Sequence, residues 1–543
     1  MKRSTLKYLL LFLVILLEGC SVSTTNREWK IKWDKEKLAK KEQFLAGIRA
    51  SAEASSLRED TSRPNIILIM ADDLGKYDIS LYRSGPVPTP NLNRLASEGV
   101  LFGDACVTAP ICSPSRAAIL TGKYPQRYGF ESQPMEFYPS NFIEYKAGKN
   151  AGFLGDWRVV TPPSYPAEWE VAKQGIPLTE TTLPELMQAG GYQTAIMGKW
   201  HLGAGRTQTP NRRGFDEQYG FYGAHSLYTP AQNTPGYMHY IQPDFSARYQ
   251  WNMKRKSTAA IRQNDRVTRE KEYLTFAIAH RAIRYLEENR DKRFFLYIPF
   301  NAPHVPFEAP QNYFDRFAQV QDTNRRVYYA MIAALDDAIG EILSKVKELG
   351  LEENTLIWFI SDNGGASYTG ATDNGPLSGG KLTYFEGGIE VPFILKWKGH
   401  LPEGITYPEA VSSLDIFATT VAQCRIDRQE GNLIDGVDLV PYLTGDSTGL
   451  PHDKLFWRAD HIRAMRRGDW KMILSMRDKW LHLYNLKTDR SEMIDLKDEN
   501  PETLQQLQEY FEEWNSHLPA KPMWPRIMDR KFIINGQEYW FPA

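Results

Sequence analysis

Four cysteines in 543 residues, Cys20, Cys106, Cys112 and Cys424, are too few for a disulfide scaffold, and none forms a Cys-x-x-Cys pair of the kind that holds zinc. Each has to be read singly. Net charge is nearly absent too: 65 Lys plus Arg against 66 Asp plus Glu leave −1, so no global basic field marks a nucleic-acid binder. Any anionic ligand must then be held by a few local cations. Beyond residue 20 no stretch reaches the ~18 uncharged apolar residues of a membrane span, and no internal repeat is visible. What is present is a chain 42% apolar and 24% charged, which excludes a wholly disordered or fibrous protein and allows a large buried core in two or more domains.

Lys2, Arg3 and Lys7 precede the apolar run 8–17, which is about half of a membrane-spanning length and reads as a signal peptide. The run ends Leu17-Glu18-Gly19-Cys20, which resembles the lipobox of bacterial lipoproteins, where the cysteine is acylated and becomes the new N-terminus. An ordinary cleaved signal with an incidental cysteine is the plainer alternative. Acylation of Cys20 predicts a membrane-anchored, extracytoplasmic protein, on the periplasmic side of a bacterial outer membrane or at the cell surface. The division that follows is signal peptide 1–19, charged spacer 20–62 with a helix over 35–58, main domain 63–450 and C-terminal subdomain 451–543.

From Arg63 the pattern is α/β. Apolar, β-branched runs at 65–70, 194–197, 294–298 and 356–360 alternate with helical stretches at 183–189, 273–289 and 328–349. Such alternation predicts a large, mostly parallel sheet sandwiched by helices, with ligands bound beyond the carboxyl ends of its strands. After residue 451, stretches 463–475 and 479–485 read as antiparallel strands and 501–517 as a helix, a smaller C-terminal α+β domain.

Two of those strand ends carry paired oxygen ligands, Asp72-Asp73 and Asp362-Asn363. Adjacent carboxylates at a buried strand end repel unless neutralised, and four hard oxygens suit calcium or magnesium rather than zinc. Taken singly, each pair is equally a turn or cap former. A third element is Cys112-Ser113-Pro114-Ser115-Arg116, in which Ser113 fits a helix N-cap and Pro114 the first helical position, placing Cys112 at a positive helix end. For a lone cysteine the bland reading is a buried apolar thiol.

Cys-x-Pro-x-Arg followed by this helix resembles the motif of type I sulfatases, members of the alkaline phosphatase-like superfamily, whose cysteine becomes formylglycine after translation. The resemblance runs from Arg63 to about Arg530. It includes the opening strand into Asp72-Asp73, Gly198-Lys199-Trp200-His201, Ala302-Pro303-His304-Val305-Pro306, Ser361-Asp362-Asn363-Gly364, and the lysine loop Gly379-Gly380-Lys381 with Glu386-Gly387-Gly388. It implies a catalytic domain over 63–450 and a calcium ion, Ca2+, held by Asp72, Asp73, the modified Cys112, Asp362 and Asn363. It further implies that a formylglycine hydrate attacks sulfur and that the covalent sulfate is expelled as the aldehyde re-forms. Arg116 would stabilise the hydrate, Lys199 and Lys381 would bear on sulfate oxygens, and His201 would take the proton that triggers collapse. His304 and Lys381 are the candidates for protonating the leaving oxygen. Maturation requires a formylglycine-generating or anaerobic maturating enzyme as a partner.

His225 and His461 fall in segments that border the pocket in related enzymes and are candidates for touching substrate. His239, His280, His400, His452, His482 and His517 read as surface or satisfied core residues, Lys123 as structural, and Cys106 and Cys424 as plain buried thiols. The expected reaction is hydrolysis of a sulfuric ester, on a sulfated carbohydrate released from polysaccharide. The alternatives are a phosphate or phosphonate monoester hydrolase of the same superfamily, or a non-catalytic lipoprotein that captures sulfated glycans. Aromatic-rich stretches 137–169 and 219–251 are candidates for sugar stacking, with core packing an equal explanation.

Overall fold

The computed structural model describes residues 31–54, 63–82, 85–134, 156–159, 168–242, 254–426, 433–526 and 528–543. The signal peptide, Cys20 and most of the aromatic stretch 137–169 lie outside the described residues. The spacer helix is Lys35–Ala54.

The strand Asn65–Asp72 is buried along its whole length, as a continuous apolar run demands when both sheet faces are covered. Its alternate side chains feed two separate cores. Ile66, Leu68 and Met70 join one cluster, whereas Ile67, Ile69 and Ala71 join the other. This strand sits near the middle of a ten-stranded sheet whose order is Ile405–Ser412, Val100–Cys106, Phe393–Lys396, Thr355–Ser361, Asn65–Asp72, Phe294–Pro303, Gln193–Lys199, Glu217–Phe221, Arg262–Gln263 and Arg266–Val267. Within it, Thr355–Ser361, Asn65–Asp72, Phe294–Pro303 and Gln193–Lys199 are consecutive parallel neighbours. Their carboxyl ends therefore open on the same edge, and Asp72, Lys199, Pro303 and Ser361 stand there side by side.

The helix Thr323–Glu348 begins earlier than the expected 328, because Asp322 caps it, its carboxylate accepting from the Arg325 amide at 3.1 Å. The polar first turn hides that start from apolar periodicity. The expected strand 463–475 is in fact two, Ile462–Arg467 and Trp470–Ser475, paired antiparallel about a turn containing Gly468. With Lys454–Ala459 and Trp480–Asn485 they make a four-stranded antiparallel sheet, covered by helix Pro501–Ser516, and a separate three-stranded sheet pairs Met528–Ile534 with Gln537–Pro542 and Trp157–Val159. Tyr219, Phe221, Tyr222 and Tyr228 are buried, so core packing accounts for those rings, whereas Tyr237 and Tyr240 are half-buried against the core that holds Tyr219, Phe221 and Tyr228.

Charged pairs bolt the C-terminal sheet to the main domain. Lys471 is fully buried, its ammonium 2.7 Å from both Glu386 and Glu492, and Asp104 is gripped by Arg466 and Arg490. Removing one partner of such a cluster strands the others without solvent. Lys471→Ala is expected to cost about 3–5 kcal/mol, read as a lowered urea midpoint, and a loss below about 1 kcal/mol would show that water reaches the two carboxylates.

Candidate active site

Asp72 ends its strand, and Asp73 turns off it with φ of 65°, a strained conformation for a residue other than glycine. His201 has the same handedness at φ 56°. Gly198, one residue before Lys199, lies so close to the neighbouring strand that a Cβ would meet the Pro299 carbonyl oxygen at 2.0 Å, so only glycine fits there. Trp200 locks the loop that follows, its indole N–H donating to the carbonyls of Gly203 at 3.0 Å and Gln208 at 2.9 Å.

Cys112 is the first residue of the helix Cys112–Thr121, every residue of which is buried. The expectation that Ser113 caps this helix is not met. Ile111 is the N-cap residue, and the Ser113 hydroxyl donates instead to the His201 carbonyl, tying the Cys112 helix to the Lys199–His201 loop. The helix ends at Gly122 in the left-handed region, where a side chain would strike Phe417. The lysine loop joins the same assembly: the Lys381 amide donates to Gly365 O at 3.0 Å and the Leu382 amide to Pro110 O at 2.7 Å.

At the centre, the Cys112 thiol lies 3.3 Å from Asp72 Oδ1 and 3.8 Å from Asp73 Oδ1. Lys199 Nζ bonds Asp72 Oδ2 at 2.6 Å, and Lys381 Nζ lies 2.8 and 2.9 Å from the two Asp73 oxygens. Arg116 Nε bonds Asp362 Oδ2 at 2.7 Å, and its Nη1 bonds Lys199 O at 3.1 Å. Asn363 Nδ2 donates to Asp73 Oδ1 at 2.8 Å, and His304 Nε2 is 3.7 Å from Asp73 Oδ2. His304 Nδ1 faces the Val305 carbonyl, which can only accept, so that nitrogen carries the proton and Nε2 is the atom turned to the cluster.

Burial works against ionisation of Asp72, but Lys199, His304, Arg116 and Lys381 outweigh it and hold that carboxyl well below the ordinary range. Burial and the neighbouring Asp72 charge push Asp362 up to about 6. Burial, Lys199 and Arg116 hold His201 neutral, well below its ordinary value, and burial with Lys381 brings His304 down to about 4. Burial, reinforced by Asp362 and Asp72, pushes the Cys112 thiol far up, which makes it a poor nucleophile as a thiol.

Ligand atoms of Asp72, Asp73, Cys112 and His304 lie within 4.8 Å of one another, a buried set able to hold a metal ion. Asn363 supports the same reading: its Oδ1 is buried without a hydrogen-bond partner, and a hard cation would satisfy it. Three carboxylates, Asp72, Asp73 and Asp362, are balanced by Arg116, Lys199 and Lys381. A divalent cation would therefore leave the cleft positive and receptive to an anion.

A family model described as sulfatase matches residues 64–424. The chain belongs to the sulfatase family. It is 32% identical over 412 residues to the N-acetylgalactosamine-6-sulfatase of Homo sapiens, covering 75% of this chain and 71% of that one, and 33% identical over 432 residues to the arylsulfatase A of Bos taurus, covering 76% and 74%. The solved structure of Ps i-CgsB in complex with k-i-k-neocarrahexaose superposes with a TM-score of 0.70 at 30% identity, over 85% of this sulfatase and 94% of that chain. The phosphonate monoester hydrolase of Agrobacterium radiobacter shares the fold alone, at TM-score 0.56 and 20% identity. This sulfatase thus has the alkaline phosphatase-like architecture and hydrolyses sulfate esters.

The structure brings Asp72, Asp73, Cys112, Arg116, Lys199, His201, His304, Asp362, Asn363 and Lys381 together, and His225 joins them, close enough that His304 and Lys199 help burial hold it down to about 3. His461, at a strand turn of the C-terminal sheet, belongs to a second cluster with Asp460 and Asp529. Lys123 pairs with Glu180 at 2.8 Å, and Cys106 and Cys424 are buried thiols. Sequence reasoning did not single out Tyr368, whose phenol burial pushes up to about 12 against the pull of nearby Lys381, nor Asp78, held by Tyr328 and Thr372 behind Asp73. A tyrosine in a polar loop and an aspartate in a turn carry no distinguishing pattern.

Proposed function

We propose that this sulfatase removes sulfate from a sulfated carbohydrate through a formylglycine made from Cys112, with calcium held by Asp72, Asp73, Asp362 and Asn363. The position of Cys112 carries the reading. Its thiol lies against two carboxylates at a helix N-terminus, where a soft sulfur is a poor ligand and a poor nucleophile, whereas a hydrated aldehyde there would offer hard oxygens and a nucleophilic hydroxyl. Arg116 Nη2, buried without a hydrogen-bond partner, is a donor available to such an oxygen.

Bound calcium would supply a fixed positive charge beside the sulfate. The chain's own groups do the rest. Lys199 and Lys381 stabilise the charge that accumulates on sulfate oxygens, and Arg116 orients the nucleophilic oxygen. His201, neutral and with a buried unpartnered Nδ1, takes the proton whose loss releases sulfate. His304 presents Nε2 for the leaving oxygen; burial and Lys381 keep it neutral in the free site, so to act as the acid it takes up a proton from solvent at Nε2 as the anionic substrate enters.

A sugar alkoxide needs a proton to leave and an activated phenolate hardly does. His304→Ala is therefore expected to slow sugar sulfates by roughly 10²–10⁴ and activated aryl sulfates far less, at saturating substrate. Equal slowing of both, with the split found in Lys381→Ala, would move the acid to Lys381.

The named N-acetylgalactosamine-6-sulfatase relatives and the oligosaccharide complex of Ps i-CgsB support a sulfated sugar as the substrate class. A desulfation screen on defined sulfated oligosaccharides tests it. Turnover confined to simple aryl sulfates would reject it. Cys20 is proposed as the acylated anchor, acting outside the cytoplasm after maturation by a formylglycine-generating or anaerobic maturating enzyme. Cys20→Ala is expected to release the protein from the membrane fraction, and retention there would reject acylation.

A further inference from the structure

The second cluster shares no residue with the first. Asp460 and His461 form the turn between strands Lys454–Ala459 and Ile462–Arg467, and Asp529 comes from the distant strand Met528–Ile534. Their ligand atoms approach within 4.8 Å of one another.

The ion pairs at this point leave buried acceptor atoms over. Arg158 bonds Asp478 at 2.8 Å and Asp529 Oδ2 at 2.9 Å, and Arg477 bonds Asp529 Oδ2 at 2.7 Å and Asp460 Oδ2 at 2.5 Å. Arg463 also lies against Asp460, donating to its carbonyl at 2.6 Å, so three guanidiniums face Asp460, Asp478 and Asp529. Arg158 and Arg477 both engage Oδ2 of Asp529, while its Oδ1 is buried with no hydrogen-bond partner among the described residues.

His461 sharpens the point. Its Nε2 lies 3.3 Å from the Trp540 carbonyl, which can only accept, so Nε2 carries the proton, and it lies 3.6 and 3.9 Å from Asp478 and Asp529. Nδ1 is left with a bare lone pair. That nitrogen is also buried without a hydrogen-bond partner among the described residues, 3.9 Å from Asp460 Oδ2, and His461 is only 4% exposed. His461 Nδ1 and Asp529 Oδ1 are thus two buried acceptors that the surrounding guanidiniums do not satisfy and that a bound cation would.

We propose that Asp460, His461 and Asp529 bind a zinc ion, separate from the catalytic metal, that clasps the hairpin turn to the C-terminal strand. One imidazole nitrogen with carboxylate oxygens suits zinc, whereas calcium prefers oxygen throughout. A ligating histidine ordinarily donates its other N–H to a carboxylate or a backbone carbonyl, as His461 does to Trp540. Asp460, with a side chain 31% exposed, leaves an approach from solvent and room for water in the remaining position. The clasped strand also carries Arg530, whose guanidinium lies 4.0 Å over the ring of Tyr368, the residue beside Lys381. The ion would thereby stiffen one wall near the cleft.

The test is elemental analysis of the full-length protein, stripped with chelator, supplied with calcium and zinc together, and freed of unbound metal. Wild type is expected to retain both metals. Asp72→Asn is expected to lose calcium and keep zinc, and His461→Gln to lose zinc and keep calcium. Zinc is also expected to raise the melting temperature of stripped wild type, a readout that needs no variant, and Asp529→Asn serves if His461→Gln fails to fold. Wild type that retains no more zinc than His461→Gln and melts at the same temperature with and without zinc would overturn the proposal, leaving a second proton on His461 to close the cluster. Zinc lost from Asp72→Asn but kept by His461→Gln would place it in the catalytic cleft and overturn it equally.

Discussion

Cys112→Ala is expected to fold and to lose nearly all turnover, with kcat falling by on the order of 10⁵–10⁶ as it does when other hydrolases lose their nucleophile. Stability changes little by comparison. The thiol is small, and trimming it to alanine in a fully buried site costs about 1 kcal/mol, so circular dichroism and thermal melting should stay close to wild type. The loss of rate must then come from chemistry. Cys112→Ser is the finer probe: its hydroxyl would accept from Arg116 and lie against Asp72 and Asp73, but it cannot form a hydrate with a second hydroxyl to lose. A Cys112→Ser enzyme that performed one slow transfer and stalled with sulfate attached would fit the proposal. Full activity in Cys112→Ala would refute it.

Chelation is the second large effect. Removing a divalent cation leaves Asp72, Asp73 and Asp362 facing the substrate anion with only Arg116, Lys199 and Lys381 to offset them, and those cations are already spent on the carboxylates at 2.6–2.9 Å. Turnover should fall below detection in chelator and return with calcium better than with zinc, since every proposed protein ligand is an oxygen. Asp362→Asn should behave like the chelated enzyme. Asp362→Ala should in addition lose about 3–5 kcal/mol of stability, because it strands Arg116, which is fully buried, without its closest carboxylate. Ordinary activity in chelator, together with an active Asp72→Asn, would show these residues to be turn formers.

The central sheet could be read from sequence because its strands are buried on both faces and so appear as unbroken apolar runs. The run 65–70 enters Asp72-Asp73, and the run 356–360 enters Asp362-Asn363, which is where the sheet places them. The Cys112 segment was legible as a motif but not in its local geometry. Ser113 has the chemistry of a cap, yet its hydroxyl is drawn to the His201 carbonyl, a contact that only the folded chain creates. Contacts between distant segments were hidden for the same reason: Tyr328 behind Asp73, Tyr368 beside Lys381, and Lys471 between Glu386 and Glu492. The grouping of His461 with Asp460 and Asp529 was hidden likewise, since Asp529 comes from a strand some seventy residues away in sequence.

The most direct measurement is the mass of the peptide that carries Cys112, isolated from enzyme whose turnover on a sulfated sugar has been measured in the same preparation. Formylglycine in place of cysteine, in a fraction that rises and falls with specific activity when the maturating enzyme is supplied or withheld, is the expected result. Undiminished turnover from a preparation in which residue 112 is wholly unmodified cysteine would contradict it.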